Sequence, residues 1–224
     1  ILRGEPAAAS DLLHLPLPHD ERVVNARDLG QIVAVNPVAH NPSIHAFEVA
    51  VADVVGQAHG VPICQLLGGA VRDRVLVHYW SGRRDPEGLA RVAVQGQALG
   101  FDGIKIKCVL EDPNLERVQA IAAACGPEFR ITLDPNQRFG TVEDTVALAE
   151  SMAGYAIEVF EDPLPKADGF DDYVRLRERI DIPIALHLER PEEVQEAIRM
   201  GAADAFNLRG TMATVNRLGY MIET

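Results

Sequence analysis

Residues 101–136 of this 224-residue chain read FDGIKIKCVLEDPNLERVQAIAAACGPEFRITLDPN. Two short runs rich in aliphatic residues, Gly103–Lys107 and Arg130–Asp134, flank a stretch with helical spacing. We predict that this helix is capped and started by Asp112-Pro113 and ends at Gly126, because proline favours the first turn and glycine the end of a helix. The segment therefore predicts two parallel strands joined by a crossover helix.

The same unit recurs along most of the chain. Strand-like runs start at residues 75, 103, 130, 156, 182 and 203, which are 21 to 28 residues apart. We predict further helices between them, bounded by Asp85 and Gly100, by Thr141 and Gly154, and by Pro191 and Gly201. This alternation predicts an α/β fold with a parallel sheet, either a (β/α) barrel or a doubly wound sheet. No glycine-rich phosphate loop follows a strand, which weakens the doubly wound alternative.

The composition narrows the function classes. The formal net charge is −12, so an acidic surface disfavours nucleic acid and anionic membranes as partners. The three cysteines, Cys64, Cys108 and Cys125, show no CxxC spacing, which argues against a disulfide framework. No apolar run approaches the roughly 20 residues of a membrane helix. We therefore expect a cytoplasmic protein, and a small acidic substrate is compatible with its charge because local fields in a cleft can oppose the net charge.

The first 70 residues differ from the rest of the chain. Residues 1–42 contain five of the 14 prolines and show weak periodicity. Ser43 is then predicted to cap a helix whose buried side carries Ala46, Phe47, Ala50, Val51, Val54 and Val55. We interpret residues 1–70 as the end of an N-terminal region with a linker helix, and residues 71–224 as six βα units.

Charged side chains collect at the predicted carboxyl ends of the strands, where βα folds place their active sites. A strand repeats every two residues, so Lys105 and Lys107 lie on one face. The later strand ends contribute Asp134, Asn136, Glu161, His187, Glu189 and Arg209. Each residue alone also fits a structural role, such as a turn, a helix cap or an ion pair. Together they predict an anion-binding site with a metal ion, and oxygen ligands favour Mg²⁺ or Mn²⁺.

Three short motifs of this set resemble one superfamily of enzymes. They are Lys105-x-Lys107, Asp134-x-Asn136 and Glu161-Asp162-Pro163. In this order and spacing they resemble the enolase superfamily, and more closely its mandelate racemase/muconate lactonizing enzyme branch. Residues 46–53 and 60–69 are similar to the linker-helix signature of that branch. The resemblance implies a TIM-like modified (β/α)7β barrel, here incomplete, whose first six βα units are residues 71–224. Residues 1–70 would be a remnant of an α+β N-terminal capping domain with the linker helix.

The resemblance also implies a chemistry, which is removal of the proton α to a carboxylate with the help of Mg²⁺ or Mn²⁺. Lys107 matches the base, and Lys105 matches the neighbouring lysine that contacts the substrate carboxylate. Asn136 and His187 are expected to bind the substrate. The expected metal ligands are Asp134, Glu161 and Glu189. The resemblance further implies a small carboxylate substrate and a homo-oligomer.

Two positions depart from the pattern of the branch. His187 stands where the branch usually has an acidic metal ligand, and either His187 or Glu189 could replace it, with Glu189 favoured. Arg209 stands where the branch has a second lysine or an aspartate. Arginine cannot act as a base at ordinary pH because its pKa exceeds about 12, so Arg209 fits a carboxylate clamp or an oxyanion stabiliser.

A one-base reaction therefore follows, and we expect a dehydratase of an acid sugar or hydroxy acid. The alternatives are a racemase, epimerase or cycloisomerase of the same superfamily, and a non-catalytic homologue with an altered metal site. A Schiff-base aldolase that uses Lys107 is a further alternative on the same architecture.

Overall fold

The computed structural model describes residues 44–70, 72–166, 169–188 and 190–208. The chain divides into two compact units, of which the larger is Val75–Asn207 and the smaller includes Ile1–Arg74. In the smaller unit the described residues form helices α1 (Ile44–His59) and α2 (Ile63–Leu66). None of the described helices has the length and apolar character that crossing a bilayer requires.

Helix α1 forms as predicted, but its buried face differs from the expected one. Val51 and Val54 were expected to be buried and are 40% and 65% exposed. The buried stripe instead includes Ala52 and Gly56, one helical turn apart. A Cβ atom on Gly56 would lie 2.8 Å from the carbonyl oxygen of Val61, so close packing of the following chain requires glycine here. The predicted cap Ser43 and the side chain of Ala46 lie outside the described residues.

The larger unit alternates strands and helices as predicted. The strands are β1 (Tyr79–Ser81), β2 (Gly103–Lys107), β3 (Arg130–Asp134), β4 (Ile157–Glu161), β5 (Ile184–Leu188) and β6 (Ala205–Leu208). The intervening helices are α3 (Pro86–Ala98), α4 (Asn114–Cys125), α5 (Val142–Ser151), α6 (Asp171–Arg177) and α7 (Pro191–Met200). The six strands lie side by side in chain order in one sheet, with β1 to β5 paired in parallel. Helix α6 was not among the predicted helices.

Several strands begin later than their sequence pattern indicates. The largest difference is at β1, which was expected from Val75 and starts at Tyr79. The parallel register pairs Tyr79 with Ile104, the second residue of β2, so residues 75–77 lie beyond the amino end of β2. Val75 is accordingly 75% exposed. Hydrophobic β-branched residues thus extend the apparent strand past the point where a partner strand is available.

Two of the predicted helix caps are confirmed in atomic detail, and the cap predicted at Asp112 is wrong. Asp85 accepts a hydrogen bond from the backbone N–H of Gly88 at 2.6 Å, and Thr141 forms a reciprocal capping box with Asp144. Asp112 does not cap α4, which begins at Asn114 without a side-chain cap. The carboxylate of Asp112 accepts no hydrogen bond from the first backbone N–H groups of α4 because other groups bind it. They are the backbone N–H of Val109 and the guanidinium groups of Arg83 and Arg117.

The core lies between one face of the sheet and the helices. Ile104 and Ile106 of β2 and Leu133 of β3 are fully buried there. The helices contribute fully buried side chains to the same cluster, among them Leu89, Val118 and Ile121. This packing holds one face of each strand against the helices and leaves the opposite face for polar side chains.

Candidate active site

Strand β2 presents two lysines on the face opposite the helices. Ile104 and Ile106 are buried in the core, so alternation directs Lys105 and Lys107 to the other side. The side chains of the two lysines are 23% and 28% exposed. Such partial burial of an ammonium group is costly unless an anion pairs with it.

The neighbouring strands supply the anions. Lys105 Nζ lies 2.6 Å from Glu161 Oε2 and 2.8 Å from Asp134 Oδ2. Lys107 Nζ lies 2.5 Å from the same oxygen of Asp134 and donates to Asn136 Oδ1 at 2.7 Å. The carboxyl ends of β2, β3 and β4 therefore bring together five of the residues that the sequence singled out.

Asp134 is the most buried carboxylate of the cluster, with 1% of its surface exposed. Its Oδ1 accepts the backbone N–H of Asn136 at 3.1 Å. Burial raises the pKa of Asp134, but the hydrogen bonds from Lys105 and Lys107 outweigh burial and hold this pKa below its ordinary value. Burial lowers the pKa of Lys105, and its carboxylate partners outweigh that effect, so this pKa is raised. Both groups are therefore charged at neutral pH.

Glu161 reaches the cluster because β4 is irregular. The pairing of β3 with β4 shifts register between Ile131 and Thr132, where β4 carries one extra residue. With strict alternation Glu161 would face the helices, whereas the shifted register places it on the face that carries Asp134. Its second oxygen, Oε1, accepts a hydrogen bond from Asn207 Nδ2 of β6 at 2.8 Å. Nothing in the sequence analysis had singled out Asn207.

A second ion pair lies next to the first and joins Asp162 of the motif Glu161-Asp162-Pro163 to Lys166, a residue that the sequence analysis did not single out. Asp162 is 3% exposed and binds Lys166 Nζ through Oδ2 at 2.7 Å. A signal for Lys166 was present in the composition. The chain has 21 lysines and arginines, and only Lys105, Lys107 and Lys166 are lysines. All three lie at this cluster of carboxylates, which makes lysine usage itself a marker of the site.

The structure describes the remaining predicted site residues, His187, Glu189 and Arg209, only in part. The backbone N–H and carbonyl of His187 bind Asp162 and Lys166, and its ring atom Nε2 is buried without a hydrogen-bond partner among the described residues. Among the described residues, no hydrogen bond or ion pair joins the His187 ring to Asp134 or Glu161. Glu189 and Arg209 lie outside the described residues, so their expected roles stay predictions.

The donor set agrees in part with a divalent metal ion. Asp134 and Glu161 offer buried carboxylate oxygens, which are the ligands that Mg²⁺ and Mn²⁺ prefer. The ammonium group of Lys105 bridges the two carboxylates, so the space between them accommodates a positive charge. Within the described part of the chain, no group of three or more His, Cys, Asp or Glu residues is arranged to hold a metal ion.

Comparisons with known proteins agree with this geometry. The sequence profile of the family described as Enolase C-terminal domain-like matches residues 88–213, more than half of the chain. The chain is 31% identical over 167 residues to a hydrophobic dipeptide epimerase of Enterococcus faecalis, covering 73% of this chain and 46% of the relative. It is also 31% identical over 147 residues to an arabinonate dehydratase of Saccharolobus solfataricus, covering 63% and 39%. The chain thus spans less than half the length of these two relatives.

A solved structure shows the same fold. It is the dipeptide epimerase from Enterococcus faecalis V583 complexed with Mg and the dipeptide L-Leu-L-Tyr, with a TM-score of 0.74 and 25% identity. The match covers 88% of this chain and 59% of that chain. Enolase-superfamily proteins of this kind are TIM-like barrels, so the barrel interpretation of the sheet is confirmed over the doubly wound one. The chain belongs to the enolase superfamily, in its mandelate racemase/muconate lactonizing enzyme branch.

Proposed function

We propose that this chain carries the acid–base and metal-binding groups of an enzyme that removes the proton α to a carboxylate in a small substrate. The observation that carries the proposal is the meeting of Lys105 and Lys107 with the buried carboxylates of Asp134 and Glu161. An α proton is only weakly acidic, so the reaction needs a positioned base together with positive charge beside the developing enediolate.

Lys107 is proposed as the base. Its Nζ is held by Asp134 and by Asn136 Oδ1, so the amine is fixed in position rather than free to rotate. A lysine can lose its proton and accept another, which an arginine cannot do at ordinary pH. Lys105 is proposed to bind the substrate carboxylate, with Asn136 and His187 as further contacts to the substrate.

A divalent metal ion, Mg²⁺ or Mn²⁺, is proposed as the cofactor. Asp134 and Glu161 would hold it, with Glu189 as the proposed third ligand. When bound, such an ion supplies positive charge that stabilises the enediolate oxygens. The hydrogen bond from Asn207 to Oε1 of Glu161 orients this carboxylate and leaves Oε2 to bind Lys105.

The outcome of the reaction depends on what happens after proton removal. Epimerisation delivers a proton to the opposite face of the carbon, which requires a second acid–base group. Arg209 stands at the position where the branch has that group, and it cannot serve as a base. We therefore propose β-elimination by a dehydratase of an acid sugar or hydroxy acid, with Arg209 as a clamp or oxyanion stabiliser. Epimerisation is the second candidate, because a relative at 31% identity is a dipeptide epimerase.

Calorimetry with Mg²⁺ tests the metal site. The wild type is expected to bind Mg²⁺, and Asp134→Ala is expected to lose binding because a buried anionic ligand is removed. Asp102→Ala is the matched control, since Asp102 pairs with Arg130 away from the cluster. Equal binding by the wild type and Asp134→Ala would contradict the metal assignment.

Product analysis in D₂O distinguishes the two reactions. Acid sugars, hydroxy acids and dipeptides are incubated with the protein and Mg²⁺, and the products are followed by proton NMR. A dehydratase yields a keto acid after loss of water, whereas an epimerase exchanges the α proton for deuterium and keeps every other atom. Exchange without elimination would favour the epimerase and overturn the dehydratase proposal.

A further inference from the structure

The regular pairing of β4 with β5 ends earlier than β5 itself. The register pairs Glu161 with Ala185, and the backbone N–H of Asp162 donates to the carbonyl of Ala185 at 2.9 Å. If the parallel ladder continued, backbone groups of the chain after β4 would bond the N–H and the carbonyl of His187, two residues further along β5. Asp162 has a positive φ of 49°, so the chain turns away at this point. Its own carbonyl accepts the N–H of Gln137 at 2.7 Å instead.

Two side chains replace the ladder bonds that the backbone no longer makes. Asp162 Oδ1 accepts the N–H of His187 at 2.9 Å, and Lys166 Nζ donates to the carbonyl of His187 at 2.6 Å. The same ammonium binds Asp162 Oδ2 at 2.7 Å, which closes a ring of three hydrogen bonds around one peptide residue. The side chains of Asp162 and Lys166 are only 5% and 19% exposed, so these bonds are largely shielded from water.

This ring joins the ends of three strands. Through Asp162, the loop after β3 is bound at Gln137 and the end of β5 at His187. Asp162 directly follows Glu161, and His187 lies two residues before Glu189 in the chain. A shift of the β5 end relative to β4 would therefore act on the backbone next to Glu161, which is one of the proposed metal ligands.

We propose that the Asp162–Lys166 pair is a clamp that positions the proposed metal site by holding the carboxyl end of β5 against β4. Both are positioning residues, since they act through Glu161 and the β5 backbone. The inference rests on the proposed function. A lysine suits this place because a compact ammonium directs its hydrogens to a carboxylate and a carbonyl at once, whereas the guanidinium fork of arginine is planar and larger.

The amino end of β5 offers a natural control. There Asp204 Oδ2 accepts the N–H of Ile184 at 2.9 Å, and Arg177 donates to Asp204 Oδ1 at 2.8 Å and to the carbonyl of Gly201 at 3.0 Å. This pair also joins a carboxylate, a cation and the β5 backbone. It lies at the opposite end of the strand from the proposed metal site.

Mn²⁺ binding, followed by electron paramagnetic resonance of the free ion, tests the clamp. Lys166→Met and Asp162→Asn are expected to weaken Mn²⁺ binding on the order of 10–100-fold, as losses of groups that orient metal ligands do. Arg177→Met is expected to lose stability in urea unfolding and to keep the wild-type affinity for Mn²⁺. Wild-type affinity in both clamp variants would overturn the proposal, and so would an equal loss in Arg177→Met.

Amide hydrogen exchange at His187, measured by NMR, separates this inference from the function on which it rests. Exchange at His187 is expected to accelerate in both clamp variants and to stay unchanged in Arg177→Met. A wild type that binds no Mn²⁺ refutes the proposed metal site itself. Unchanged exchange at His187 in the clamp variants refutes the clamp, whatever the metal result.

Discussion

The two ends of the sheet carry ion pairs of different kinds. At the amino end, Arg130 binds Asp102 and Glu158, whose side chains are 50% and 34% exposed. At the carboxyl end, Lys105 binds Asp134 and Glu161, whose side chains are 1% and 9% exposed. The contact distances are similar, but the cation and the burial of the carboxylates differ.

The difference separates pairs that stabilise the fold from pairs that can take part in chemistry. An exposed arginine pair is worth little and stays charged at any ordinary pH. A buried carboxylate that depends on lysines keeps its charge only while those lysines stay in place. In the proposed function the lysine amines exchange protons or bind a substrate, so the carboxyl end would respond to a ligand and the amino end would not.

The strongest test of this comparison places an arginine at the carboxyl end of the sheet and a lysine at the amino end. Lys107→Arg keeps the positive charge but removes the proposed base, so α-proton exchange into D₂O should fall by about 10²–10⁴-fold, the usual contribution of general base catalysis. The reciprocal change Arg130→Lys should leave exchange close to the wild-type rate. Substantial exchange by Lys107→Arg would exclude Lys107 as the base.

An effect of intermediate size is expected at a carboxylate that is bound by arginines at the carboxyl end of the sheet. Asp112 binds Arg83 and the buried Arg117. Burial raises the pKa of Asp112, but these partners outweigh it and lower the pKa to about 2. Asp112→Asn should cost on the order of 2 kcal/mol in the free energy of unfolding at pH 7, because Arg117 loses its counter-charge.

The pH dependence of that loss follows from the direction of the shift. A lowered pKa stabilises the folded state fully above the ordinary pKa near 3.8, and the contribution disappears as pH falls through about 2. The difference between the wild type and Asp112→Asn in urea unfolding should therefore shrink between about pH 4 and pH 2. A difference that stays constant over that range would show that the carboxylate charge is not its source.

The smallest effect is expected for an exposed pair on a helix. Arg91 and Glu87 of α3 are 65% and 85% exposed and lie 2.7 Å apart. Arg91→Ala should change the free energy of unfolding by less than about 0.5 kcal/mol, since water and salt screen such a pair. A larger loss, measured by urea unfolding at low and high salt, would contradict the ranking of pairs by burial.

The fold was largely predictable because its signals are local. Asp85 and Thr141 start their helices as the capping rules require. The strands were recognised as well, but β1 starts four residues later than its β-branched run. Strand ends depend on where a partner strand begins, and that information is not contained in the run itself.

The candidate site was predictable in its residue types and less so in its contacts. The motif around Lys105 and Lys107 needs only the two-residue period of a strand to place both ammonium groups on one side. Asp162 stands in the motif Glu161-Asp162-Pro163 directly after β4, and the next helix begins only at Asp171. The role of Asp162 in binding the end of β5 depends on a backbone turn that no local pattern indicates.

The sequence by itself determined the alternation of strands and helices, the two lysines on one face and the carboxylates at successive strand ends. These follow from periods of two and 3.6 residues and from the carboxyl-end rule for βα folds. Only the tertiary structure decided that Glu161 faces Asp134. An extra residue in β4 moves the Glu161 side chain to the other face of the sheet. The tertiary structure also decided the partners of Asp112 and Lys166, because such contacts depend on how neighbouring strands and loops meet, over sequence separations that local patterns do not record.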